Sequence, residues 1–260
     1  MRLDVFLSEN GRFSSRNKAA EACKRGEVKV DGVSRKSSFD VDGSELIEVS
    51  TDNYVSLGAY KLERAKSVFD FDCVNKICVD LGASTGGFTQ ILLLNGAKKV
   101  YAVDVGANQL DQRLLSDVRV VAMDGVNARY LTKDSFSENI DVVVADCSFI
   151  SLKLILPTVK LLIDKNGFLV CLIKPQFECE GRGLSKTGIL TDKKILLNVV
   201  IELYNYCLGE GFSVKGFTWA PINKNKNLEF LIMLDFNGVS LSQTEIETVV
   251  YQAERLRTEK

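Results

Sequence analysis

The chain has 260 residues, 46% of them hydrophobic, and a formal net charge of −1. That is apolar material enough for a sizeable core in one or two domains, while no apolar run approaches the ~18–20 residues needed to span a bilayer. Histidine is absent, which excludes Ser-His-Asp and Cys-His catalysis and most zinc sites. Any general base must therefore be Lys, Asp, Glu, Tyr or Cys.

The first nine residues carry acids inside their short apolar stretch, so they are not a secretory signal, and a cytoplasmic protein is expected. The seven cysteines are odd in number and form no Cys-x-x-Cys, which predicts reduced, mostly buried thiols and no metal site. Residues 12–36 hold eight cations (Arg12, Arg16, Lys18, Lys24, Arg25, Lys29, Arg35, Lys36) and three acids. The window is +5, leaving −6 for the rest of the chain, a distribution that suits a polyanion-binding module on an acidic body.

Residues 1–50 read as a small module. Ser14 or Ser15 can cap a helix over 16–24 that Gly26 terminates. A strand at 28–30 leads into Asp31-Gly32, a hairpin signal, and Asp42-Gly43 offers another turn before a strand at 46–49. Arg16, Lys24 and Arg25 are expected near one helix face and its end, on the side of Lys29. Phosphate contact is the functional reading, and a solvated basic helix is the plain one.

Residues 51–60 read as a linker, and 61–69 as a helix with Leu62, Ala65 and Phe69 on one side. From residue 77 strands and helices alternate. Strands are predicted at 77–81, 99–104, 118–122, 141–146 and 167–173, and helices at 86–94, 152–163 and 192–209. Two adjacent late strands follow at 212–219 and 228–235. Alternation of this kind predicts a parallel sheet covered on both faces, with an antiparallel pair at its end. Ser242-Gln-Thr-Glu245 is a capping box that opens a terminal amphipathic helix carrying Ile246, Val249, Val250, Ala253 and Leu256.

The chain is organised around Ile77–Gly87, an apolar strand ending in Asp80, then a glycine loop, then the helix that starts at Phe88. Its Asp-x-Gly-x-x-x-Gly spacing lacks both the dinucleotide fingerprint and the Lys-Ser/Thr of a phosphate-cradling loop. It suits a nucleoside without a phosphate chain, such as S-adenosylmethionine, or else is an ordinary strand-to-helix turn. Asp104 ends the next strand about twenty residues on, where a carboxylate can hold a ribose diol. Asp80, Asp104, Asp146 and Lys174 all end strands, where ligands of such sheets bind. Glu229 is an acid inside an otherwise apolar strand, and burial there calls for a partner.

Arg2-Leu-Asp-Val-Phe-Leu, Ser15-Arg-Asn-Lys-Ala19 and Gly26-Glu-Val-Lys-Val-Asp-Gly32 resemble the S4 RNA-binding domain. Asp80–Thr89, Val100–Gly106, Asn127–Arg129, Asp146–Leu152, Ile173–Glu178 and Glu229–Leu231 resemble the TlyA family, often labelled hemolysin A, over nearly the whole chain. The resemblance implies an S4 domain (1–50), a linker (51–60) and an FtsJ/RrmJ-like methyltransferase domain (61–260) with a C-terminal helix. The expected fold is α/β: a Rossmann-like class I methyltransferase sheet of seven strands, mostly parallel with an antiparallel end, plus a small α+β S4 domain.

The same resemblance implies ribose 2′-O-methylation of cytidine in ribosomal RNA by S-adenosylmethionine, acting within a ribosomal subunit as a monomer and without a membrane. The large subunit is favoured because Met1 stands immediately before Arg2-Leu-Asp. The family's Lys-Asp-Lys-Glu tetrad falls on Lys61, Asp146, Lys174 and Glu229. Cofactor contacts are expected from Asp80, Gly82, Ala83, Ser84, Thr85, Gly86, Gly87, Asp104, Asp124 and Asp146. RNA contacts are expected from Arg2, Arg16, Lys18, Lys24, Arg25 and Lys29. Two departures bear on RNA contact: Leu57 stands where the family often has arginine, and Asn223–Asn227 lacks its usual glycines.

Residue chemistry agrees. A ribose hydroxyl must lose its proton as it attacks the methyl group, and without histidine a lysine must accept it, Lys174 in this reading. Free lysine titrates near ~10.4 and needs lowering, by burial or by a second cation such as Lys61. Competing readings are a non-catalytic RNA- or ribosome-binding assembly protein, a membrane-lytic hemolysin, and a small-molecule methyltransferase. The last would leave the N-terminal module without a role.

Overall fold

The computed structural model describes residues 1–10, 12–13, 15–45, 47–49, 54–222 and 226–259. Ser14, Leu46, the linker positions 51–53 and most of the 223–227 loop, all singled out above, lie outside the described residues. The chain divides into two compact units, Met1–Asn53 and Tyr54–Lys260.

In the smaller unit, helices α1 (Leu3–Glu9) and α2 (Arg16–Arg25) accompany strands β1 (Val28–Val30), β2 (Val33–Ser34) and β3 (Ile47–Val49). The sheet runs β2-β1-β3, antiparallel throughout. Ser15 Oγ accepts from Lys18 N and so caps α2, and Gly26 ends it in the left-handed region. Asp31 and Gly32 both take positive φ, the geometry that a two-residue hairpin needs. The α1 helix has no counterpart in the sequence reading, although Leu3 and Leu7 are spaced to bury one helical face. They pack with Ala19, Ala22, Val28, Val30 and Val41.

The larger unit opens with α3 (Gly58–Phe69), three residues earlier than expected, so Gly58–Tyr60 is helix rather than linker. Then come β4 (Ile77–Leu81), α4 (Gly87–Leu94), β5 (Lys99–Asp104), α5 (Gln112–Leu115), β6 (Val120–Asp124) and β7 (Ile140–Ala145). After them follow α6 (Leu156–Leu162), β8 (Ile163–Ile173), α7 (Pro175–Glu178), α8 (Lys193–Gly209), β9 (Ser213–Trp219), β10 (Phe230–Asp235) and α9 (Gln243–Glu259).

One seven-stranded sheet runs β6-β5-β4-β7-β8-β10-β9. The first five strands are parallel, and β10 is antiparallel to both neighbours. Alternate residues feed two cores, as a two-residue period demands. Val79, Leu81, Val143 and Ala145 join the apolar faces of α6, α8 and α9. Cys78, Val142 and Val144 join those of α3 and α4.

Three boundaries depart from expectation for local reasons. The strand expected at 118–122 starts two residues later, because Asp117 forms a turn: its carbonyl accepts Val120 N and its carboxylate accepts Arg119 N. The helix expected over 152–163 is a 3-10 turn (Leu152–Leu154) followed by α6. Pro157 lacks an N–H and is accommodated only in the first turn of a helix. Glu229 precedes β10 rather than lying inside it. The capping box at Ser242 forms, with Ser242 N and Oγ both donating to Glu245 Oε2 at 2.7 Å. Among the described residues no helix is long and apolar enough to cross a membrane.

Candidate active site

The carboxyl ends of the parallel strands bring the chemistry-bearing residues together. Asp146 directly follows β7, and its N–H donates to Leu81 O at the end of β4. Lys174 directly follows β8, where Pro175 turns the chain into α7. Lys61 reaches in from the first turns of α3. Glu229 precedes β10 and is tied to the end of β9 by Ala220 N donating to its carbonyl.

These four side chains form one continuous ionic chain. Lys61 Nζ lies 2.7 Å from Glu229 Oε2 and 3.5 Å from Asp146 Oδ2. Lys174 Nζ lies 2.5 Å from Asp146 Oδ1, a charge contact without hydrogen-bond geometry. It donates instead to Ser148 Oγ at 2.6 Å and to Asp146 O at 3.4 Å. Lys174 is 8% exposed. Burial pulls the Lys61 ammonium down, but the carboxylates of Asp146 and Glu229 outweigh it and hold its pKa above the ordinary lysine value. Lys61 is therefore a standing positive charge.

The glycine loop is set by close packing. Gly82 (φ +80°) brings the backbone against Asp146, where a Cβ would sit 3.0 Å from its carbonyl oxygen. At Gly86 (φ +93°) a side chain would run into Leu110 and Leu114. Asp104 organises the loop's far side: Oδ2 accepts from Ser84 N at 2.8 Å and Oδ1 from Gly106 N at 2.7 Å. Asp124 pairs with Asp104 across β5 and β6, and its Oδ2 accepts from Asn108 N at 2.8 Å. Ser84 and Thr85 are exposed at the tip, and residues 82–87 include no cation. A loop without cations beside two strand-end carboxylates fits a nucleoside with hydroxyl and amine donors, and not a phosphate chain.

A model of FtsJ-like methyltransferases matches residues 54–236, and a model of the S4 domain matches residues 1–47. Hemolysin A of Brachyspira hyodysenteriae is 42% identical over 241 residues, covering 89% of this chain and 98% of that protein. The chain belongs to the TlyA (hemolysin A) family. The 16S/23S rRNA (cytidine-2'-O)-methyltransferase TlyA of Mycobacterium tuberculosis is 35% identical over 258 residues, covering 97% of this chain and 96% of that one. A solved Streptococcus thermophilus protein described as a hemolysin superposes with a TM-score of 0.78 at 37% identity, covering 100% of this chain and 97% of that one.

Against the TlyA pattern, the tetrad residues and the loop 82–87 meet at one end of the sheet, with Asp104 and Asp124 beside the loop. Three assignments change in character. Asp80 is fully buried and caps α4, its Oδ2 accepting from Thr89 N and Oγ1 at 2.8 and 2.7 Å. Burial, with Asp146 and Asp104 adding to it against the Thr89 hydrogen bonds, pushes its pKa up to about 7. Ala83 is buried and its N–H is taken by Val103 O. Gly87 is required by close packing of α4 on Ser56 and Ala59.

The S4 cations also divide. Arg2 and Arg16 bind buried Asp4, at 2.9 and 3.2 Å, and Arg25 pairs with Glu27 and Glu21. Lys18, Lys24 and Lys29 are exposed and make no ion pair among the described residues.

Sequence reasoning missed Ser148, the hydroxyl on Lys174, although it stands inside the Asp146–Leu152 motif. It also missed Glu178, a buried carboxylate that accepts from Ser151 Oγ at 2.6 Å and Leu152 N at 2.7 Å. Glu178 thereby ties the segment after Lys174 to the segment after Asp146. Asn227 was missed as well: it accepts from Leu190 N at 2.7 Å and donates to Gly188 O at 2.9 Å, anchoring the approach to Glu229.

Proposed function

We propose that this chain methylates the ribose 2′-oxygen of a cytidine in ribosomal RNA, with S-adenosylmethionine as donor and Lys174 as general base. The observation that carries the reading is the ionic chain Glu229–Lys61–Asp146–Lys174 at the strand ends beside the glycine loop. Membership of the TlyA family and the activity named for the Mycobacterium tuberculosis relative support it.

S-adenosylmethionine supplies an electrophilic methyl group on a sulfonium. Residues 82–85 would hold its methionine end, Asp104 its ribose hydroxyls and Asp124 its adenine amine. Asp146 orients Lys174, and Lys61, held charged, bridges Asp146 and Glu229. Ser148 Oγ fixes the direction of Lys174 Nζ, which would take the proton from the 2′-hydroxyl as that oxygen displaces sulfur from the methyl carbon and a neutral thioether departs. Holding the acceptor and base in one geometry is the main source of rate in such a step. Residues 1–50 act as the RNA-binding module, with Lys18, Lys24 and Lys29 as its open cations.

The test is methyl transfer from labelled donor to separated ribosomal subunits and their naked rRNAs, wild type beside Lys174→Ala. Large-subunit rRNA is the first substrate to try and small-subunit rRNA the second. Label that is alkali-resistant at one cytidine and lost in the variant is the expected result. No transfer to any RNA by folded protein would sink the reading in favour of a non-catalytic assembly protein.

A further inference from the structure

Lys61 is the member of the ionic chain that a helix carries; the others stand beside strand ends. A strand end is fixed by the hydrogen-bond ladder of its sheet. A helix is held on a sheet mainly by apolar contact, as α3 is through Ala59, Leu62 and Ala65, and such contact has no direction. Something further must set where Lys61 Nζ lies along the sheet.

Arg64, one turn on from Lys61, makes directional contacts with the last residues of β9. Its Nε donates to Trp219 O at 2.8 Å and its Nη2 to Thr218 Oγ1 at 3.3 Å, while the guanidinium lies 4.7 Å from the centre of the Trp219 ring. Thr218 is buried. Among the described residues Arg64 makes no ion pair, so its partners are neutral groups and its use is geometric. A guanidinium offers donors and a flat face at fixed angles, which a lysine does not reproduce.

Further along α3 the Phe69 ring covers Gly216, where a Cβ would run into it. Helix and strand are thus matched at Phe69 on Gly216 and again at Arg64 on Trp219. Carried one turn onward, the same alignment brings Lys61 to the residues just past Trp219. There Ala220 N donates to Glu229 O at 2.9 Å, and Lys61 Nζ meets Glu229 Oε2 at 2.7 Å. The circuit closes: Lys61 to Arg64 along the helix, Arg64 to Trp219, Trp219 to Ala220 along the chain, Ala220 to Glu229, and Glu229 back to Lys61.

We propose that Arg64 is a positioning residue for the tetrad: by fixing α3 to the end of β9 it sets Lys61 between Glu229 and Asp146. What Lys61 does there rests on the RNA-methylation reading; its placement does not.

The experiment compares wild type, Arg64→Leu and Arg64→Lys in the full-length protein. Trace acetylation with acetic anhydride at about pH 8, read lysine by lysine by mass spectrometry, reports how firmly each ammonium is held. Lys66 on the same helix and exposed Lys18 and Lys24 are the internal standards. Arg64→Leu should speed labelling of Lys61 about tenfold, since an ammonium that leaves its carboxylates loses its proton more readily. The standards should keep their rates, and Arg64→Lys should fall between. Loss of charge alone acts the other way, because removing a cation favours the ammonium of a neighbouring lysine and slows its labelling. In methyl transfer, Arg64→Leu should lower kcat about tenfold and leave affinity for S-adenosylhomocysteine unchanged. Added to Lys61→Met it should cost nothing more, because it acts through Lys61.

Lys61 labelling at the wild-type rate in Arg64→Leu overturns the proposal. So does equal acceleration at Lys66, which would mean that the helix has merely loosened. A further loss of transfer in the Lys61→Met background also overturns it. If Arg64→Leu melts early, Arg64→Lys decides, and Lys61 labelled there at the wild-type rate is the overturning result. Faster Lys61 labelling in the variant, with no methyl transfer to any RNA by wild type, would end the proposed reaction and leave the placement standing. Transfer by wild type with Lys61 labelling unchanged in the variant would do the reverse.

Discussion

Among the described residues each unit buries one aspartate almost completely, and the two meet burial in opposite ways. Asp4, 3% exposed in the smaller unit, has Arg2 and Arg16 beside it. The hydrogen bond from Arg2, opposed by burial and reinforced by Arg16, draws its pKa down to about 2. Asp80, 0% exposed in the larger unit, has only the uncharged Thr89, and burial pushes it up to about 7. The difference teaches how each unit uses its cations. The smaller unit commits arginines to its own acid, so its positive count overstates what is left for RNA. The larger unit leaves Asp80 without a cation and places buried Lys174 and half-buried Lys61 on Asp146.

The largest expected effect breaks the larger unit's half of that contrast. Lys174→Ala should lower methyl transfer by about 10²–10⁴-fold, the usual contribution of a positioned base. Its affinity for S-adenosylhomocysteine, read by calorimetry, should be unchanged. Retention of full transfer would remove Lys174 from the base role.

Next in size is the pH dependence carried by Asp80. A carboxyl that titrates near 3.8 unfolded and about 7 folded keeps its proton in the native state where the unfolded chain has lost it. Stability of the larger unit should therefore fall as pH rises from about 4 to about 7, by a few kcal/mol in order of magnitude. Asp80→Asn should flatten that slope. The single tryptophan, Trp219, lies in β9, so urea melts followed by its fluorescence report this unit. Asp4 has the opposite sign: its contribution is present above about pH 4 and is lost as pH falls toward 2. A larger-unit slope that Asp80→Asn leaves intact would mean that other groups set it.

How far the sequence carried the site follows from the same physics. Asp104, Asp146 and Lys174 were legible because a polar residue straight after an apolar strand can only stand at a strand end. Lys61 came from resemblance alone, since nothing in a helical Lys-Leu-Glu-Arg says which lysine turns inward. Glu229 was found for an imperfect reason, since it stands just before its strand. Asp80 looked like a ligand because the spacing shows its strand end and not Thr89, the partner nine residues on that claims it. Contacts between segments distant in sequence, Glu178 to Leu152 and Asn227 to Leu190, leave no periodic trace.

The smallest effect tests the smaller unit's division of labour, and it separates two groups of cations that sequence alone treats alike. Replacing Lys18, Lys24 and Lys29 together by Gln touches residues with no ion pair among those described, so the fold should hold. If each neutralises one phosphate, affinity for rRNA fragments should drop about tenfold or more at moderate salt. The slope of log affinity against log salt should fall by about three. Arg16→Gln removes one of two arginines from a buried carboxylate. It should therefore raise amide exchange across α1 and α2, while the salt slope changes by less than one. Had Arg16 been the phosphate contact and the lysines bystanders, the two results would trade places. The free lysines would then be a solvated face, and the unit's RNA surface would have to include residues that also hold its core together.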